Sequence, residues 1–302
     1  MACKKRILVT GAAGMLGTAL VFDYSNKYTC FALGKTIGFP VPGVSWIACD
    51  LTDELHAREA VAQANPDVII HCAALVNVDA CENNMNDAYA LHVTATKTLA
   101  DECRQRGIQI IYISTDSVFN GRKTGAYTET DTPDPLNAYA RTKLEGENEI
   151  LKIDKGLVLR TNIFGWTRHG LSFSEWVLDG LKNQKKMTMF TDVQFSPIST
   201  YCFSKVIESC IKNRLNGLYH AGGKDSLSKF EFALQVAAVY GLSTNCIVPV
   251  MMGDVHLTAP RPNNMALDSS KLSKTLDINM PDIQTSISIW KKFEPIKEKD
   301  NG

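Results

Sequence analysis

The run Thr10-Gly11-Ala12-Ala13-Gly14-Met15-Leu16-Gly17 decides the fold that this sequence predicts. Its first residue, Thr10, ends a mostly apolar stretch, residues 6–10, that is typical of a strand buried on both faces. Its later residues begin a predicted helix over residues 14–24. Of its three glycines, the first permits a tight turn, the second lets the backbone approach a phosphate, and the third lets the helix pack on the strand. The free amides of the helix N-terminus would then face the phosphates. The run therefore predicts a turn that binds a dinucleotide.

Short apolar runs alternate with helix-like stretches through the first half of the chain. After the first strand, the predicted strands cover residues 28–33, 44–48, 67–72, 108–114 and 156–160. The predicted helices between them cover residues 53–64, 87–106 and 137–150. Continuous apolar strands that alternate with helices are typical of the α/β class, with a doubly wound parallel sheet and helices on both of its faces.

The regular alternation ends after Gly165, which indicates a second, smaller domain. We expect a dinucleotide-binding domain over residues 1–164, completed by about residues 198–222. Residues 165–197 and 223–302 would then form a smaller C-terminal substrate domain. A chain of 302 residues is long enough for both.

Composition and charge exclude several classes of protein. Because 32 Lys and Arg residues balance 32 Asp and Glu residues, the formal net charge is zero and we expect no nucleic-acid partner. The nine cysteines form no C-x-x-C pair, which indicates free thiols in a reducing compartment and no metal site. No apolar run is as long as a membrane span, and the basic start of the chain turns apolar for only four residues before Gly11. We therefore expect a cytoplasmic protein without membrane or metal contacts.

A tyrosine and a lysine stand four residues apart in Tyr139-Ala140-Arg141-Thr142-Lys143, on the helix after the fifth predicted strand. Residues at i and i+4 share one helix face, so both can reach one ligand. A tyrosine has a pKa near 10, so proton transfer near pH 7 needs a neighbour that lowers it. We expect the Lys143 ammonium and an oxidised nicotinamide to lower the pKa of Tyr139. The alternative is an ordinary amphipathic helix, on which this spacing occurs by chance.

The fifth strand ends in Ser114-Thr115-Asp116, at the edge where such sheets bind ligands, so we expect carbonyl reduction there. Hydride from a nicotinamide cofactor would reach the carbonyl carbon, Tyr139 would protonate the oxygen, and Thr115 and Lys143 would orient the parts. The second strand ends in Gly34-Lys35 without the carboxylate that binds a ribose 2′-hydroxyl. Lys35 can pair with a 2′-phosphate, which favours NADPH as the cofactor and leaves NADH as the alternative. The alternative interpretation of Lys35 is a surface lysine that contacts only solvent.

Longer motifs extend these observations to most of the chain. The spacing T-G-x-x-G-x-x-G of the glycine run resembles the extended short-chain dehydrogenase/reductase superfamily, which implies a Rossmann-type fold. The segments P-D-V-I-I-H-C-A-A (residues 66–74), S-T-D-S-V-F-N-G (114–121), P-L-N-A-Y (135–139) and R-P-N (261–263) resemble the dTDP-4-dehydrorhamnose reductase (RmlD-like) family. This resemblance covers about residues 6–271. It implies an oxidoreductase that uses NAD(P)H to reduce the 4-keto group of a nucleotide-linked 6-deoxysugar.

The same resemblance assigns further residues to the site. Asp50 and Leu51 would flank the adenine, while Ala73 and Ala74 would line the dinucleotide after the fourth strand. The residues assigned to the nucleotide sugar are Val76, Asp116, Ser117, Asn162, Ile163 and Arg261, the last of them for the pyrophosphate. Two alternatives stay open: Asp50 as the cap of the helix that starts near Asp53, and Arg261 in a surface salt bridge.

The chain departs from the family's pattern where the sugar would lie. Ser117 stands where the family usually has Tyr, and Asn162-Ile163 stands where it has an aromatic residue after R-T-S. His92 stands where the family usually has Asn. A Glu near the glycine run of metal-binding members has no counterpart here, so we expect no bridging Mg²⁺. These departures leave the sugar unidentified.

Two other functions fit the same fold. Relatives with dehydratase activity carry an Asp-Glu pair after the Thr, whereas Asp116 is followed by Ser117, which leaves no Glu to remove a β-proton in an epimerase or dehydratase reaction. The second alternative is a non-catalytic regulatory subunit that resembles the β subunit of methionine adenosyltransferase. The intact set of Thr115, Tyr139 and Lys143 argues against it. The oligomeric state also stays open, with a homodimer as one alternative.

Overall fold

A parallel sheet forms the centre of the structure, a computed structural model that describes residues 4–168, 170–256 and 258–295. Residues 1–3 of the first predicted domain and 296–302 of the second lie outside these ranges. The strands are β1 (Arg6–Thr10), β2 (Thr29–Gly34), β3 (Val44–Ala48), β4 (Val68–His71), β5 (Gln109–Thr115), β6 (Gly156–Phe164), β7 (Met187–Phe190), β8 (Gln194–Phe195), β9 (Pro197–Ser199), β10 (Gly217–His220), β11 (Leu227–Ser228), β12 (Ile247–Val250) and β13 (Asn264–Met265).

The central sheet runs in the order β10-β6-β5-β4-β1-β2-β3, and β9 is a further partner of β6. All of these pairs are parallel. The order reverses between β1 and β4, the point where open α/β sheets bind ligands beyond the carboxyl ends of their strands. Thr10 of β1 lies opposite His71 of β4, so the loops after these two strands start side by side. The predicted α/β fold, a doubly wound parallel sheet of the Rossmann type, is confirmed.

Helices cover both faces of this sheet. The α-helices are α1 (Met15–Tyr24), α2 (Glu54–Ala64), α3 (Val78–Asn83), α4 (Met85–Tyr89), α5 (Ala95–Arg106), α6 (Ala138–Leu151), α7 (Phe173–Lys182), α8 (Thr200–Lys212), α9 (Lys229–Tyr240), α10 (Ser270–Leu276) and α11 (Ile283–Lys292). Successive residues of a strand point to opposite faces. Ile7 and Val9 of β1 therefore pack with α1 and α8, while Leu8 packs with α2 and α5. Two apolar faces explain why the strand reads as a continuous apolar run.

A second hydrophobic cluster lies mostly in the C-terminal half, and we call it the second hydrophobic part, as distinct from the core of the central sheet. It packs α7, α9 and α11 around the buried side chains of Phe195, Phe232 and Trp290. Two small sheets accompany it: β8 lies between β11 and β13, and β7 pairs with β12. Capping boxes begin α7 and α9, because Ser172 and Ser228 each exchange hydrogen bonds with the Glu three residues later. None of the helices described is both long and apolar enough to span a membrane.

The long helix predicted over residues 87–106 is helical throughout, but it is not a uniform α-helix. The structure divides this stretch into α4, a π-helical turn over Ala90–Thr94, and α5. Such a turn accommodates an extra residue and is frequent at functional sites. Gly146 of α6 packs against it, since a Cβ on Gly146 would lie 2.4 Å from the main-chain oxygen of His92. Apolar periodicity over a whole helix does not reveal a local widening of this kind.

Candidate active site

The glycine run forms the tight turn between β1 and α1. Gly11 takes a φ of +61°, which favours glycine, and a Cβ on it would lie 2.7 Å from the backbone of Ala73. A Cβ on Gly17 would lie 2.2 Å from the oxygen of Gly11, so the helix packs this closely only without a side chain there. Gly14 is the N-cap of α1 and no side chain caps the helix, which leaves the amides of its first turn, from Met15 onward, free for a ligand. The turn thus has the shape and the donors that a pyrophosphate needs.

Thr10 and His71 connect this turn to the loop after β4. Thr10 Oγ1 lies 2.7 Å from His71 Nδ1 and accepts a hydrogen bond from Ala73 N at 3.3 Å. Burial lowers the pKa of His71 to about 3, so its ring is neutral at pH 7. The structure therefore brings Gly11 and the Ala73-Ala74 pair together at one edge of the sheet.

Lys35 and Asp50 lie next to each other beyond the ends of β2 and β3. Their Nζ and Oδ2 atoms are 2.9 Å apart in an exposed ion pair. Burial would raise the pKa of Asp50, but hydrogen bonds from Lys35 and Thr52 outweigh it and leave the pKa below its usual value. Asp53, not Asp50, caps α2, so the interpretation of Asp50 as the cap is wrong. The neighbouring Leu51 is buried, and a 2′-phosphate would compete with Asp50 for the Lys35 ammonium.

Thr115, Tyr139 and Lys143 meet where β5 ends beside α6. Tyr139 and Lys143 lie one turn apart on α6, and the hydroxyl of Thr115, the last residue of β5, is near enough to Tyr139 to affect its pKa. The Lys143 ammonium donates to the main-chain oxygen of Ile113 at 2.7 Å and lies 3.9 Å from the centroid of the Tyr112 ring. The same strand therefore carries Thr115 and holds Lys143.

Burial controls the protonation of Tyr139 and Lys143. It raises the pKa of Tyr139 to about 12, against the influence of the Thr115 hydroxyl, which lowers this pKa. It lowers the pKa of Lys143 to about 7, although the carboxylate of Glu147 favours the charged form. The expectation that Lys143 lowers the pKa of Tyr139 is therefore wrong for the chain by itself, because desolvation dominates. Near pH 7 Tyr139 carries its proton, as a general acid must.

A buried ion pair that the sequence interpretation did not include lies behind Lys143. Glu147, one further turn along α6, accepts hydrogen bonds from Arg160 of β6 at 2.7 and 2.9 Å and another from the Ser114 hydroxyl. Glu147 is 1% exposed and Arg160 is 2% exposed, so each charge depends on the other. The i+4 spacing after Lys143 is the signal that places Glu147 on the same helix face.

His92 lies in the π-helical turn and connects two parts of the site. Its Nε2 accepts a hydrogen bond from Leu75 N at 2.9 Å, so Nδ1 carries the proton and donates to Thr142 Oγ1 at 2.8 Å. The ring meets Tyr139 edge to face, with centroids 5.8 Å apart. Burial lowers the pKa of His92 to about 3, which keeps the ring neutral at pH 7. His92 thus holds the loop after β4 against the helix that carries Tyr139.

Asp116, Ser117 and Asn162 form a hydrogen-bonded group next to Thr115. Asp116 is buried and accepts from Asn162 Nδ2 at 2.6 Å, from Thr115 Oγ1 at 3.2 Å and from Ser117 Oγ at 3.3 Å. Burial raises the pKa of Asp116 in spite of these donors. Ile163, the next residue of β6, is partly buried against the core. Three of the residues that the family resemblance assigned to the sugar, Asp116, Ser117 and Asn162, therefore contact one another, whereas Ile163 packs against the core of the central sheet.

Val76 and Arg261 lie on two loops. Val76 is 74% exposed, between β4 and α3. Arg261 pairs with Asp79 at 3.1 Å and donates to the Ala259 oxygen at 2.8 Å. Arg261 thus makes the salt bridge that the alternative interpretation predicts, and its contact with a pyrophosphate stays a prediction. Within the described ranges, no group of three or more His, Cys, Asp or Glu side chains is placed to hold a metal ion.

Comparison with protein families identifies the group to which this arrangement belongs. The model described as the RmlD substrate binding domain matches residues 5–292, which is nearly the whole chain. The chain belongs to the RmlD substrate binding domain family. The resemblance that the sequence motifs indicate is therefore confirmed, and it extends over both hydrophobic parts of the molecule.

Two curated relatives of this chain are named as different kinds of protein. The methionine adenosyltransferase 2 subunit beta of Danio rerio is 33% identical over 281 residues, which cover 89% of this chain and 84% of that protein. The probable low-salt glycan biosynthesis reductase Agl14 of Haloferax volcanii is 28% identical over 285 residues, which cover 93% of this chain and 95% of that protein. Similarity thus extends to a protein named as a subunit and to one named as a reductase.

Solved structures share the fold of the RmlD family member along its whole length. The dTDP-4-dehydrorhamnose reductase of Bacillus anthracis, solved in complex with NADP, matches with a TM-score of 0.86 and 26% identity, over 96% of this chain and 99% of that one. A hypothetical dTDP-4-dehydrorhamnose reductase of Sulfolobus tokodaii matches with a TM-score of 0.80 and 32% identity, over 93% of this chain and 98% of that one. The second hydrophobic part is therefore common to these proteins as well.

Proposed function

We propose that the protein is an NAD(P)H-dependent oxidoreductase that reduces a ketone on the sugar of a nucleotide sugar. The observation that carries this proposal is the meeting of Thr115, Tyr139 and Lys143 at the edge of the sheet where the glycine turn packs against Ala73. A carbonyl held there by Thr115 would have the Tyr139 hydroxyl beside its oxygen. The names of two relatives, a dTDP-4-dehydrorhamnose reductase and a glycan biosynthesis reductase, support this class of substrate.

A nicotinamide dinucleotide fits the residues of the turn. Side chains at Gly11 or Gly17 would collide with the neighbouring backbone and open the tight turn, and the uncapped amides of α1 supply donors for a pyrophosphate. The Bacillus anthracis reductase was crystallised with NADP, which supports NADPH or NADH as the cofactor here. When bound, the reduced nicotinamide supplies the hydride, and the protein supplies position and protons.

The proton and the alignment come from the chain's own residues. Thr115 and Tyr139 present two neighbouring hydroxyls to one carbonyl oxygen, and Tyr139 gives its Oη proton to that oxygen as the alcohol forms. Lys143, anchored on the Ile113 oxygen, lies one helical turn away and provides the cation that balances the remaining phenolate. Thr115 and Lys143 are buried and Tyr139 is half-buried, so these interactions are stronger than they would be in water.

We also propose a division of labour between the two hydrophobic parts. Residues 1–164 and 198–222 would bind the dinucleotide, and residues 165–197 and 223–302 would bind the substrate. The core around Phe195 and Phe232 supports this division, because most of its side chains come from residues after Gly165. The division is not complete, since Phe164 of β6 belongs to this core, and Leu272 and Met280 pack into the core of the central sheet.

Consumption of NADPH tests the reductase proposal. The protein is incubated with NADPH and a nucleotide-linked 4-keto-6-deoxysugar made in situ by a sugar-nucleotide dehydratase, with dTDP, UDP and GDP as the carrier in turn. A reductase oxidises one NADPH for each sugar reduced. An epimerase or dehydratase leaves NADPH unchanged, and Ser117 provides no carboxylate for its β-proton. Lack of oxidation with all three carriers would refute the reductase.

The 33% identity to a methionine adenosyltransferase 2 subunit beta favours a second candidate, a subunit of a methionine adenosyltransferase assembly. Size-exclusion chromatography with the synthetase chain of the same organism separates the two proposals. Co-elution without any NADPH-dependent turnover would favour the subunit. Turnover without co-elution would favour the enzyme.

A further inference from the structure

Lys229, the first residue of α9, lies beside the proposed substrate residues, although the sequence interpretation did not include it. Its ammonium lies 3.3 Å from the ring centroid of Phe195 and 4.7 Å from that of Phe173. Burial lowers the pKa of Lys229 to about 8, and the carboxylate of Asp116 works against this shift. Lys229 is therefore a cation that two aromatic rings surround and that interacts electrostatically with the buried carboxylate next to Thr115.

A chain of contacts links Lys229 to the end of β5. Phe195 stands in register with Met265 where β8 pairs with β13. The Met265 sulfur lies 3.7 Å from Ser117 Oγ, and Ser117 Oγ donates to Asp116 at 3.3 Å. Lys229 thus belongs to the group of side chains that joins the end of β5 to the second hydrophobic part.

The polar capacity of Lys229 is unused within the chain. An ammonium has three hydrogens to donate, and among the described residues none of them meets an oxygen acceptor. Aromatic faces attract the charge but provide no hydrogen-bond acceptor of that strength. Asp116 does not need this cation as a donor, since Asn162, Thr115 and Ser117 already donate to its oxygens. The side chain is only half-buried, so a ligand can reach it.

We propose that the Lys229 ammonium binds a negatively charged oxygen of the sugar nucleotide. This inference rests on the proposed function, because it takes a sugar nucleotide as the ligand. The oxygen comes from one of two sources with the same chemistry, the pyrophosphate or a carboxylate on the sugar. A hydrogen bond between charged groups contributes more than one between neutral groups, and a lysine supplies a compact charge without demanding a planar partner.

Three variants isolate this contact. Lys229→Met removes the charge and keeps an unbranched apolar stem against the rings of Phe173 and Phe195. Lys229→Arg keeps the charge and should retain most of the affinity. Lys291→Met is the matched control, because Lys291 also stacks on a ring, that of Tyr240 at 4.7 Å, at the far end of α9. The affinity of each variant for NADPH and its thermal melting report whether it is folded.

Calorimetric titration with defined probes distinguishes the two sources. UDP, dTDP and GDP are each compared with their nucleosides, and UDP-glucuronic acid is compared with UDP-glucose. If the oxygen belongs to the pyrophosphate, Lys229→Met weakens the tightest nucleoside diphosphate by about tenfold or more and leaves its nucleoside unchanged. If it belongs to a sugar carboxylate, the loss of about tenfold appears only with UDP-glucuronic acid.

Equal binding of every probe by wild type and Lys229→Met would overturn the inference, and so would the failure of all probes to bind wild type. An equal loss in Lys291→Met would also overturn it. Binding does not depend on turnover, so the two proposals fail separately. Weaker binding by Lys229→Met with no NADPH oxidation by wild type would refute the reductase alone. Oxidation by wild type with equal binding by Lys229→Met would refute only the contact of Lys229.

Discussion

Lys143 and Ile113 are joined by a hydrogen bond of 2.7 Å from the ammonium of one to the main-chain oxygen of the other. Ile113 lies two residues before Thr115 on β5, and Lys143 lies four residues after Tyr139 on α6. The bond therefore sets the distance between the strand and the helix that carry the two hydroxyls.

Tyr139→Phe removes the proposed proton donor and keeps the ring. We expect kcat to fall by roughly a hundredfold or more, because general acids typically contribute at least that factor. NADPH binding should persist, since Phe retains the shape of the ring. Steady-state kinetics and cofactor titration measure the two effects. Tyr89→Phe on α4, where the side chain is 43% exposed, is the control and should keep full activity. Undiminished turnover by Tyr139→Phe would refute its catalytic role.

Lys143→Met should change how stability depends on pH. The pKa of Lys143 is about 7 in the folded chain against an ordinary 10.5, so between these values the unfolded chain binds a proton that the folded chain lacks. The cost of burying this lysine is therefore greatest below about pH 7 and disappears as the pH approaches 10.5. We expect wild type to gain stability relative to Lys143→Met as the pH rises through this window.

Urea denaturation in steps from about pH 6 to pH 10 measures this difference. Lys212→Met is the control, because a hydrogen bond from the exposed Lys212 to Glu208 raises the pKa of that lysine. Its contribution to stability changes only above its ordinary pKa, outside the window. Parallel curves for wild type and Lys143→Met would show that the folded chain does not lower the pKa of Lys143.

Gly17→Ala should disrupt the glycine turn. The added Cβ would lie 2.2 Å from the oxygen of Gly11, so the turn or α1 must move. Overpacking of this kind costs about 1–3 kcal/mol of unfolding free energy. We also expect weaker NADPH binding, because the turn is the proposed pyrophosphate cradle. Gly253→Ala, whose Cβ meets nothing within 4 Å, is the control in denaturation and cofactor titration. Equal stability of both variants would contradict the close packing.

Arg160→Met should destabilise the fold strongly. It leaves the buried carboxylate of Glu147 without its partner, and breaking a buried pair in this way costs about 3–5 kcal/mol. The double variant Glu147→Gln with Arg160→Met should recover part of the loss, since no unpaired charge remains. Lys152→Met breaks the exposed pair with Glu149 and should cost less than about 1 kcal/mol. Urea denaturation compares the stability of the single, double and control variants. A small loss of stability in Arg160→Met would contradict the burial of this ion pair away from water.

The first half of the fold could be predicted closely because its signals are local. The strand predicted over residues 6–10 matches β1 residue for residue. The helix predicted over residues 137–150 matches α6 to within one residue at each end. The π-helical turn around His92 could not be predicted, because one extra residue in a helix leaves little trace in the apolar pattern. The pKa of Tyr139 was missed for a different reason: desolvation depends on the whole surrounding fold, not on Lys143 alone.

The role of the second hydrophobic part in the site was harder to predict. β8 and β13 hold two residues each, too few for any periodicity to identify them as strands. Lys229 meets Phe195 and the neighbourhood of Asp116 only because these strands pair, and no motif spacing joins residues so far apart in sequence. Glu147 differs, because its i+4 position after Lys143 is a sequence signal that could have identified it, although the sequence interpretation did not include it.

β6 has two successive partners on the same edge: its first half pairs with β10, and Asn162 to Phe164 pair with β9. The strand that supplies Asn162 therefore continues without a break from the central sheet towards the second hydrophobic part. A strand that is paired along its length in this way is rigid, so we do not expect it to act as a hinge. Movement of the second hydrophobic part relative to the central sheet must therefore bend the chain elsewhere or break the β6–β9 ladder, which begins at Asn162, the residue that donates to Asp116.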